Sequence, residues 1–477
     1  MTRPDVVVVG SGPNGLAAAI ELAAYGRKVH VVERNSTIGG GCRTADLTLP
    51  GFRHDICSTI HPLGIASPFF RALDLRDSGL EWLHPPVPLA HPFDDGTAAT
   101  LLRSVEDTAA SLGPDEEAYA RLMNPIVKDF DRLLPVLLGP LRPTRHMIAL
   151  ARFGLPALRS VEGIVGSRFK GDKAPALFAG MAAHSMLTLN RPATASFGLV
   201  LAMVGHAIGW PVAKGGSQTI VDALARHLES LGGTIETGRE IEALAELPAS
   251  SQILFDLTPR QVERIAGTAL PARYRKTLRN YRYGPGIFKI DWALSGPVPW
   301  TAPACREAGT VHVGGTFPEI AQAEHDANHG RHPEKPYILT AQPSVADPTR
   351  APEGNHAFWA YCHVPRGSTE DMTERIERQI ERFAPGFRDL ILARATMTAA
   401  ETEAYNPNYI GGDINGGMQD IRQLFTRPTP NFWDPYSTPN PRLFICSSAT
   451  PPGGGVHGMA GYHAAKSAIR RAKKEST

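Results

Sequence analysis

An α/β fold, built from a discontinuous Rossmann-type domain and an inserted α+β domain, follows from three features of the sequence. The first is an apolar run at Asp5–Val9 that leads into Gly10-x-Gly12-x-x-Gly15. The second is a short apolar run, Leu443–Cys446, placed ahead of another glycine-rich turn and a last helical stretch. The third is a middle of different character, helical and broken by prolines at first, then strand-like. Pieces of one α/β layer therefore occur at the start, near 215–260 and at the end.

Asp5–Val9 has the unbroken apolarity of a strand buried on both faces of a parallel sheet. Leu16–Tyr25 is an alanine-rich helix stopped by Gly26, and Lys28–Glu33 is the second strand of a βαβ unit. After Gly39-Gly40-Gly41 the chain is irregular, with many prolines between 50 and 97. From Val105 to Ala207 the pattern is helical, with breaks expected at Pro114, Pro135, Pro140, Pro143, Pro156 and Pro192. Ile220–Leu231 is an amphipathic helix ended by Gly232-Gly233; strands follow at Thr234–Thr237 and Ile253–Asp256, then a short helix at Gln261–Ile265. Ile287–Leu294 alternates like a half-buried strand, and His356–His363 is similar. Thr369–Phe383 is a charged amphipathic helix, and the last helix runs from Met459 to about Ala472. The expected division gives 1–78, 208–265 and 429–477 to a cofactor domain. It gives 79–207 (mostly helical) and 266–428 (mixed sheet) to a substrate domain.

Composition narrows the classes. With 42% apolar and 20% charged residues in 477, the chain is globular. Lys plus Arg is 49 and Asp plus Glu is 47, so no long-range field gathers nucleic acid, and no nucleic-acid partner is expected. The five cysteines form no CxxC pair, which argues against a disulfide framework or a bound metal and for a reducing compartment. Strand-like sequence begins at Val6, leaving no room for a signal peptide, so a cytoplasmic location is expected. Pro192–Ala213 carries no charge and is long enough to span a bilayer, but Thr194, Ser196, Gly198, Gly205, His206 and Gly209 dilute it, and a buried helix is expected.

The glycine fingerprint has a mechanical basis. Gly10 permits the tight turn, Gly12 lets a pyrophosphate approach the backbone, and Gly15 lets the helix sit close to the sheet. Pro13 and Asn14 complete the loop, and the helix N-terminus offers free N–H groups to phosphate. Glu33, with Arg34 beside it, ends the next strand, where a carboxylate accepts hydrogen bonds from an adenosine ribose and repels a 2′-phosphate. A second turn, Gly39-Gly40-Gly41, followed by Arg43, suits a pyrophosphate passing between two loops, with charge-assisted bonds from the guanidinium. A plain NAD site needs no such element, so FAD is the expected cofactor. Gly453-x-Gly455-x-x-Gly458 also matches the fingerprint, but no strand follows its helix to carry a ribose acid. It is therefore expected to return to the same cofactor, with Gly458, Met459 and Ala460 at the polar edge of a flavin ring.

The fingerprint with Glu33, the segment Gly40-Gly41-Cys42-Arg43-Thr44 and the closing PPGGGVHGMAGYHAA resemble the phytoene desaturase-like NAD(P)/FAD-dependent oxidoreductases, within the amine oxidase-type flavoprotein superfamily. Gly51-Phe52-Arg53-His54-Asp55, His61-Pro62-Leu63, Gly284-Pro285-Gly286 and Asn408–Asp413 resemble the same branch. The resemblance implies FAD contacts from Gly12, Gly15, Glu33, Arg43, Thr44 and the 457–460 turn, and a backbone contact to adenine at Ile241. It also implies that Lys289 stands near flavin N5, since related enzymes carry a lysine on the corresponding strand.

Alternation places Ile287, Lys289 and Asp291 on one strand face. Lys289 and His457 are the candidate catalytic residues; His54, His61 and Asp413 are candidates for the substrate channel. His184 and His206, in the helical insert, read as packed core histidines. Residues 130–210, rich in Leu, Ala, Met and Phe, suit a channel for a small apolar substrate such as a lipid or isoprenoid. Arg142, Arg145, Arg152 and Arg159 leave open a peripheral contact with a membrane surface. The expected function is FAD-dependent oxidation or reduction of an apolar substrate. An amine oxidase-like enzyme, a redox-neutral flavin isomerase and a non-catalytic flavin-binding scaffold are the alternatives. An amine oxidase would need an aromatic cage, for which Trp210, Trp292, Trp359, Tyr361 and Tyr462 look too scattered. The oligomeric state is left open.

Overall fold

The computed structural model describes residues 3–140 and 142–475. A five-stranded, all-parallel sheet runs in the order Leu443–Ile445, Gln252–Phe255, Val6–Val9, Val29–Val32, Thr234–Glu236. Val6–Val9 lies at its centre and is buried throughout, which is why four valines follow one another without a polar break. The opening helix, Pro13–Ala24, starts earlier than its alanine run suggests, because Pro13 occupies the first turn, where no N–H is needed.

The last helix, Met459–Glu475, lies along the opening helix. Its approach is set by Gly461: a Cβ there would overlap the Asn14 carbonyl oxygen and stand 2.9 Å from the Ala18 nitrogen. Ala464, Ala465 and Ala468 are fully buried and share a core with Ala17 and Ala18. The two ends of the described chain are thus packed side by side.

A seven-stranded mixed sheet forms the second body. Its order is Ile391–Met397, Gly286–Leu294, His356–Val364, Ile338–Ala341, Ala308–Val313, Val87–Pro92, Ala98–Leu101. Its strands fall within 79–207 and 266–428. The first of these stretches is less purely helical than the sequence suggests: Val87–Pro92, despite Pro88 and Pro92, pairs with Ala308–Val313 on one side and Ala98–Leu101 on the other. Gly286–Leu294 is also not half-buried. It pairs on both sides, with His356–Val364 and Ile391–Met397, and all nine residues are buried. One face carries Phe288, Ile290 and Trp292 into an apolar core; the other buries Lys289 beside Asp291. Pro135 and Pro156 do not break their helices, Phe130–Leu137 and Met147–Ala157. Each falls within the last three residues, so the helix ends within two residues of the bond that the proline removes.

The uncharged stretch forms the helix Ala195–Ala207, with Leu199, Ala202, Met203 and Val204 fully buried. Among the described residues no helix is long and apolar enough to cross a membrane. The five cysteines are all free, and no described cluster of His, Cys, Asp or Glu could hold a metal ion.

Candidate active site

A cleft opens at the C-terminal ends of the parallel strands, the usual ligand position in such sheets. At one end it is lined by Gly10–Asn14, Glu33, Arg34, Arg43, Arg239 and Ile241; it reaches Trp359 and Tyr361 on the seven-stranded sheet. The glycine loop is tightly built. A Cβ on Gly15 would overlap the Gly10 carbonyl oxygen, and one on Gly40 would stand 3.2 Å from the Gly12 Cα. The two glycine turns therefore face each other across a gap that any side chain would fill.

Glu33 is buried and held on both oxygens. Oε2 accepts from the Ser11 N–H (3.0 Å) and Ser11 Oγ (2.6 Å); Oε1 accepts from the Asn35 N–H (2.9 Å) and Arg43 Nη2 (3.3 Å). Arg43 is further fixed by the Thr37 carbonyl at 2.8 Å and by Tyr405, whose hydroxyl accepts at 3.1 Å. Arg34 is half-exposed and pairs with Glu240 at 3.5 Å.

Asp256, at the end of its strand, lies against the glycine loop and escaped the sequence reading. Its Oδ2 accepts from the Gly15 N–H at 2.9 Å and would be 2.6 Å from a Cβ on Gly12. Burial, opposed by the N–H bonds of Gly15 and Gly12 and reinforced by the charge of Glu33, pushes its carboxyl from the usual range up to about 7.

Beyond the aromatic end, a second cavity of about 880 Å³ extends beneath the helical insert. The two share His184, Trp210, Tyr361, Asn415, Gly455 and Val456 as a common wall. The second is lined by Leu137, Leu150, Phe153, Phe197, Val200 and Leu201, among others, and no Asp or Glu stands among its described lining residues.

This geometry corrects several expectations. The C-terminal turn does reach the cleft, but through Gly455 and Val456. Gly458, Met459 and Ala460 are one step behind: a Cβ on Gly458 would meet Ala17, Phe69 and Phe70, and Met459 and Ala460 are buried. Thr44 lines neither cavity; its hydroxyl donates to Asp55 at 2.7 Å and accepts from the Gln218 N–H. Gly15 serves helix–sheet contact rather than the cleft wall. Lys289 also lines neither cavity. It pairs with Asp291, its Nζ lies 5.4 Å from the Trp359 ring centre, and Trp359, not the lysine, faces the cleft. His54 is bound to Thr48 at 2.8 Å and stands 3.5 Å from Asp291, away from any channel. Asp413 accepts from the Gly284 N–H (2.7 Å) and Asn415 N–H (2.8 Å), so it shapes the loop that presents Ile414 and Asn415.

His61 and His457 do line the second cavity. Burial lowers each to about 4, so both are neutral at physiological pH. His457 Nδ1 accepts from the Met459 N–H, leaving Nε2 without a partner. His184, read from sequence as a core histidine, lies in the shared wall, 3.3 Å from His312 Nε2, with its pKa lowered to about 3 by burial. The aromatic residues are also less scattered than they look: Trp210, Trp359 and Tyr361 line one cleft, while Trp292 is in the apolar core and Tyr462 packs on Phe69.

Residues 8–74 match the NAD(P)-binding Rossmann-like domain. Over 98% of its length the chain is 28% identical to the mouse (Mus musculus) pyridine nucleotide-disulfide oxidoreductase domain-containing protein 2, of which 94% is covered. It is 25% identical to a phytoene desaturase (neurosporene-forming) of Rhodobacter capsulatus, over 95% of this chain and 91% of that one. In structure it resembles putrescine oxidase, with a TM-score of 0.64 at 16% identity and full coverage of both chains, a likeness of fold. These likenesses support kinship with the amine oxidase and phytoene desaturase oxidoreductases. The end of the cleft beside Glu33 is charged, with Arg34, Arg43, Arg239 and Glu240 around it, while the end beside the second cavity is aromatic and uncharged.

Proposed function

We propose that the protein is an FAD-dependent oxidoreductase acting on an apolar, lipid- or isoprenoid-like substrate. The observation that carries this reading is the second cavity, which is mostly apolar, contains no described carboxylate and shares a wall with the aromatic end of the cleft. The residues suit FAD. Gly10, Gly12, Gly40 and Gly41 line the cleft with bare backbone that would face the pyrophosphate, Glu33 and Ile241 would hold the ribose and adenine, and Gly455 and Val456 would lie toward the ring. Bound there, the flavin would supply a hydride acceptor or donor at N5. Tyr361, Trp210 and His184 would orient the substrate and exclude water, and His184, held neutral by burial, brings no positive charge to that wall.

A primary amine bound as a cation would find no described acidic partner in the second cavity. The amine oxidase alternative is tested in the same experiment. Under anaerobic conditions, a panel of polyenes, long-chain lipids and amines is mixed with the purified holoprotein. Bleaching of the flavin absorbance by apolar compounds and not by amines is the expected result; bleaching by amines alone would replace this reading with the alternative. Turnover without change in flavin state would indicate the isomerase, and inertness across the panel the scaffold.

Asp256 makes cofactor binding pH-dependent. The folded carboxyl keeps its proton to about pH 7, so below that pH it meets a pyrophosphate as a neutral group. Above it, a carboxylate stands against phosphate and beside Glu33. FAD affinity is expected to fall by up to about tenfold per pH unit above 7. In Asp256→Asn that fall should flatten, as read by fluorescence titration of the apoprotein. An unchanged profile in the variant would exclude Asp256 as its source.

Phe425 and Phe432 line the second cavity and are exposed, and Ile148, Leu155 and Trp433, close in sequence to its lining residues, are exposed too, Trp433 to 86%. Of the arginines read as membrane-facing, Arg152 is tied to Asp129 and Arg159 to the Gly163 carbonyl; Arg142 lines the cavity and is exposed, and Arg145 is exposed with its Nε on His146. This supports docking on a lipid surface. The protein is expected to float with phosphatidylcholine vesicles containing phosphatidylglycerol, and Trp433→Glu with Ile148→Glu should abolish flotation. Wild-type protein remaining at the bottom of the gradient would overturn the docking.

A further inference from the structure

The wall of the apolar cavity contains a buried guanidinium with no carboxylate partner. Arg427 is 2% exposed and lines the second cavity but not the cleft. Its Nη1 donates to Gln419 Oε1 at 2.8 Å and its Nη2 to the Tyr281 hydroxyl at 3.2 Å. Both acceptors are neutral, and Nε has no partner at all. Of the five N–H donors a guanidinium carries, three are therefore uncommitted. Among the described residues Arg427 makes no ion pair; Asp413, the acid whose charge it feels, is beyond ion-pair distance and already holds the N–H groups of Gly284 and Asn415.

Such an arrangement is expensive unless something completes it. A guanidinium cannot give up its proton, and an unpaired buried charge is strongly unfavourable. A planar forked donor of this kind matches the two oxygens of a carboxylate. The remaining lining is mostly apolar with a few neutral polar groups, and among the described lining residues the exposed Arg142 is the only other formal cation. We propose that Arg427 is the head-group site of the substrate cavity, and that the cavity takes a long-chain carboxylate, its anionic end on Arg427 and its hydrocarbon reaching the wall of His184 and Tyr361. Gln419 and Tyr281 are positioning residues that hold the guanidinium toward the cavity. This assignment rests on the apolar-substrate reading and refines it.

The test is a comparison of binding to the FAD-loaded protein by three ligands of one chain length: oleate, oleyl alcohol and oleylamine. Oleate is expected to bind at least tenfold more tightly than the other two. In Arg427→Gln the advantage should vanish, with oleyl alcohol affinity and the flavin spectrum unchanged; Arg427→Lys should keep part of it. Arg142→Gln should leave the preference in place, and its loss there would move the site to the rim and overturn the assignment. Equal affinities for all three in the wild-type protein would overturn the head-group site while leaving the apolar cavity standing. Binding by none would overturn both. The wild-type comparison decides the matter even if Arg427→Gln does not fold.

Discussion

Gly461→Ala is expected to destabilise the fold by about 3 kcal/mol, at the upper end of the usual range for overpacking. The added methyl group would overlap the Asn14 carbonyl oxygen and press on the Ala18 nitrogen, and neither is a side chain that could rotate away. Relief would require the last helix to lift from the opening helix. Since Asn14 belongs to the glycine loop that lines the cleft, cofactor retention should fall together with stability. Denaturant midpoint and flavin content, measured on the same preparation, check both effects. A variant indistinguishable from wild type in both would mean that these helices are not packed as described.

Lys289→Met is expected to cost about 3–5 kcal/mol, the usual penalty for removing one member of a buried ion pair. The lysine and Asp291 are both nearly inaccessible, and the free carboxylate oxygen of Asp291 already lacks a hydrogen bond. Removing the cation leaves that carboxylate unneutralised, with only His54 nearby at 3.5 Å. The double variant Lys289→Met, Asp291→Leu should recover much of the loss, because an apolar pair of similar volume asks for no desolvation of charge. Flavin reduction in the double variant should be close to normal. A stable double variant that reduces its flavin slowly would restore the direct role near N5 that the family resemblance implies.

The outer frame of the molecule was legible because its signals are local. An unbroken valine run, a glycine spacing and a helix start define the βαβ unit within forty residues. The central sheet then assembles around it, with Val8 between Leu254 and Val31 in register. The convergence of the two ends could be inferred too, since the second glycine turn lacks a following strand. Which residues touch the cleft could not. The step from Gly458–Ala460 to Gly455–Val456 depends on how deeply Gly461 lets the last helix sink, a matter of packing between segments far apart in sequence.

Lys289 shows the same limit. Alternation correctly puts Lys289 and Asp291 on one face, but pairing on both edges turns that face inward and makes the two residues each other's partner. Arg427 and Asp256 were invisible for the opposite reason. Nothing in their immediate neighbours marks them; burial without a counter-ion, and closeness to a loop 241 residues away, exist only in the folded chain.

The most direct measurement on the central claim is the dinucleotide content of the purified protein, released by denaturation and quantified against chain concentration. One cleft closed by both ends of the polypeptide should hold one FAD per chain, and NAD should not displace it. A colourless chain that takes up NAD in its place, or two dinucleotides per chain, would contradict the account.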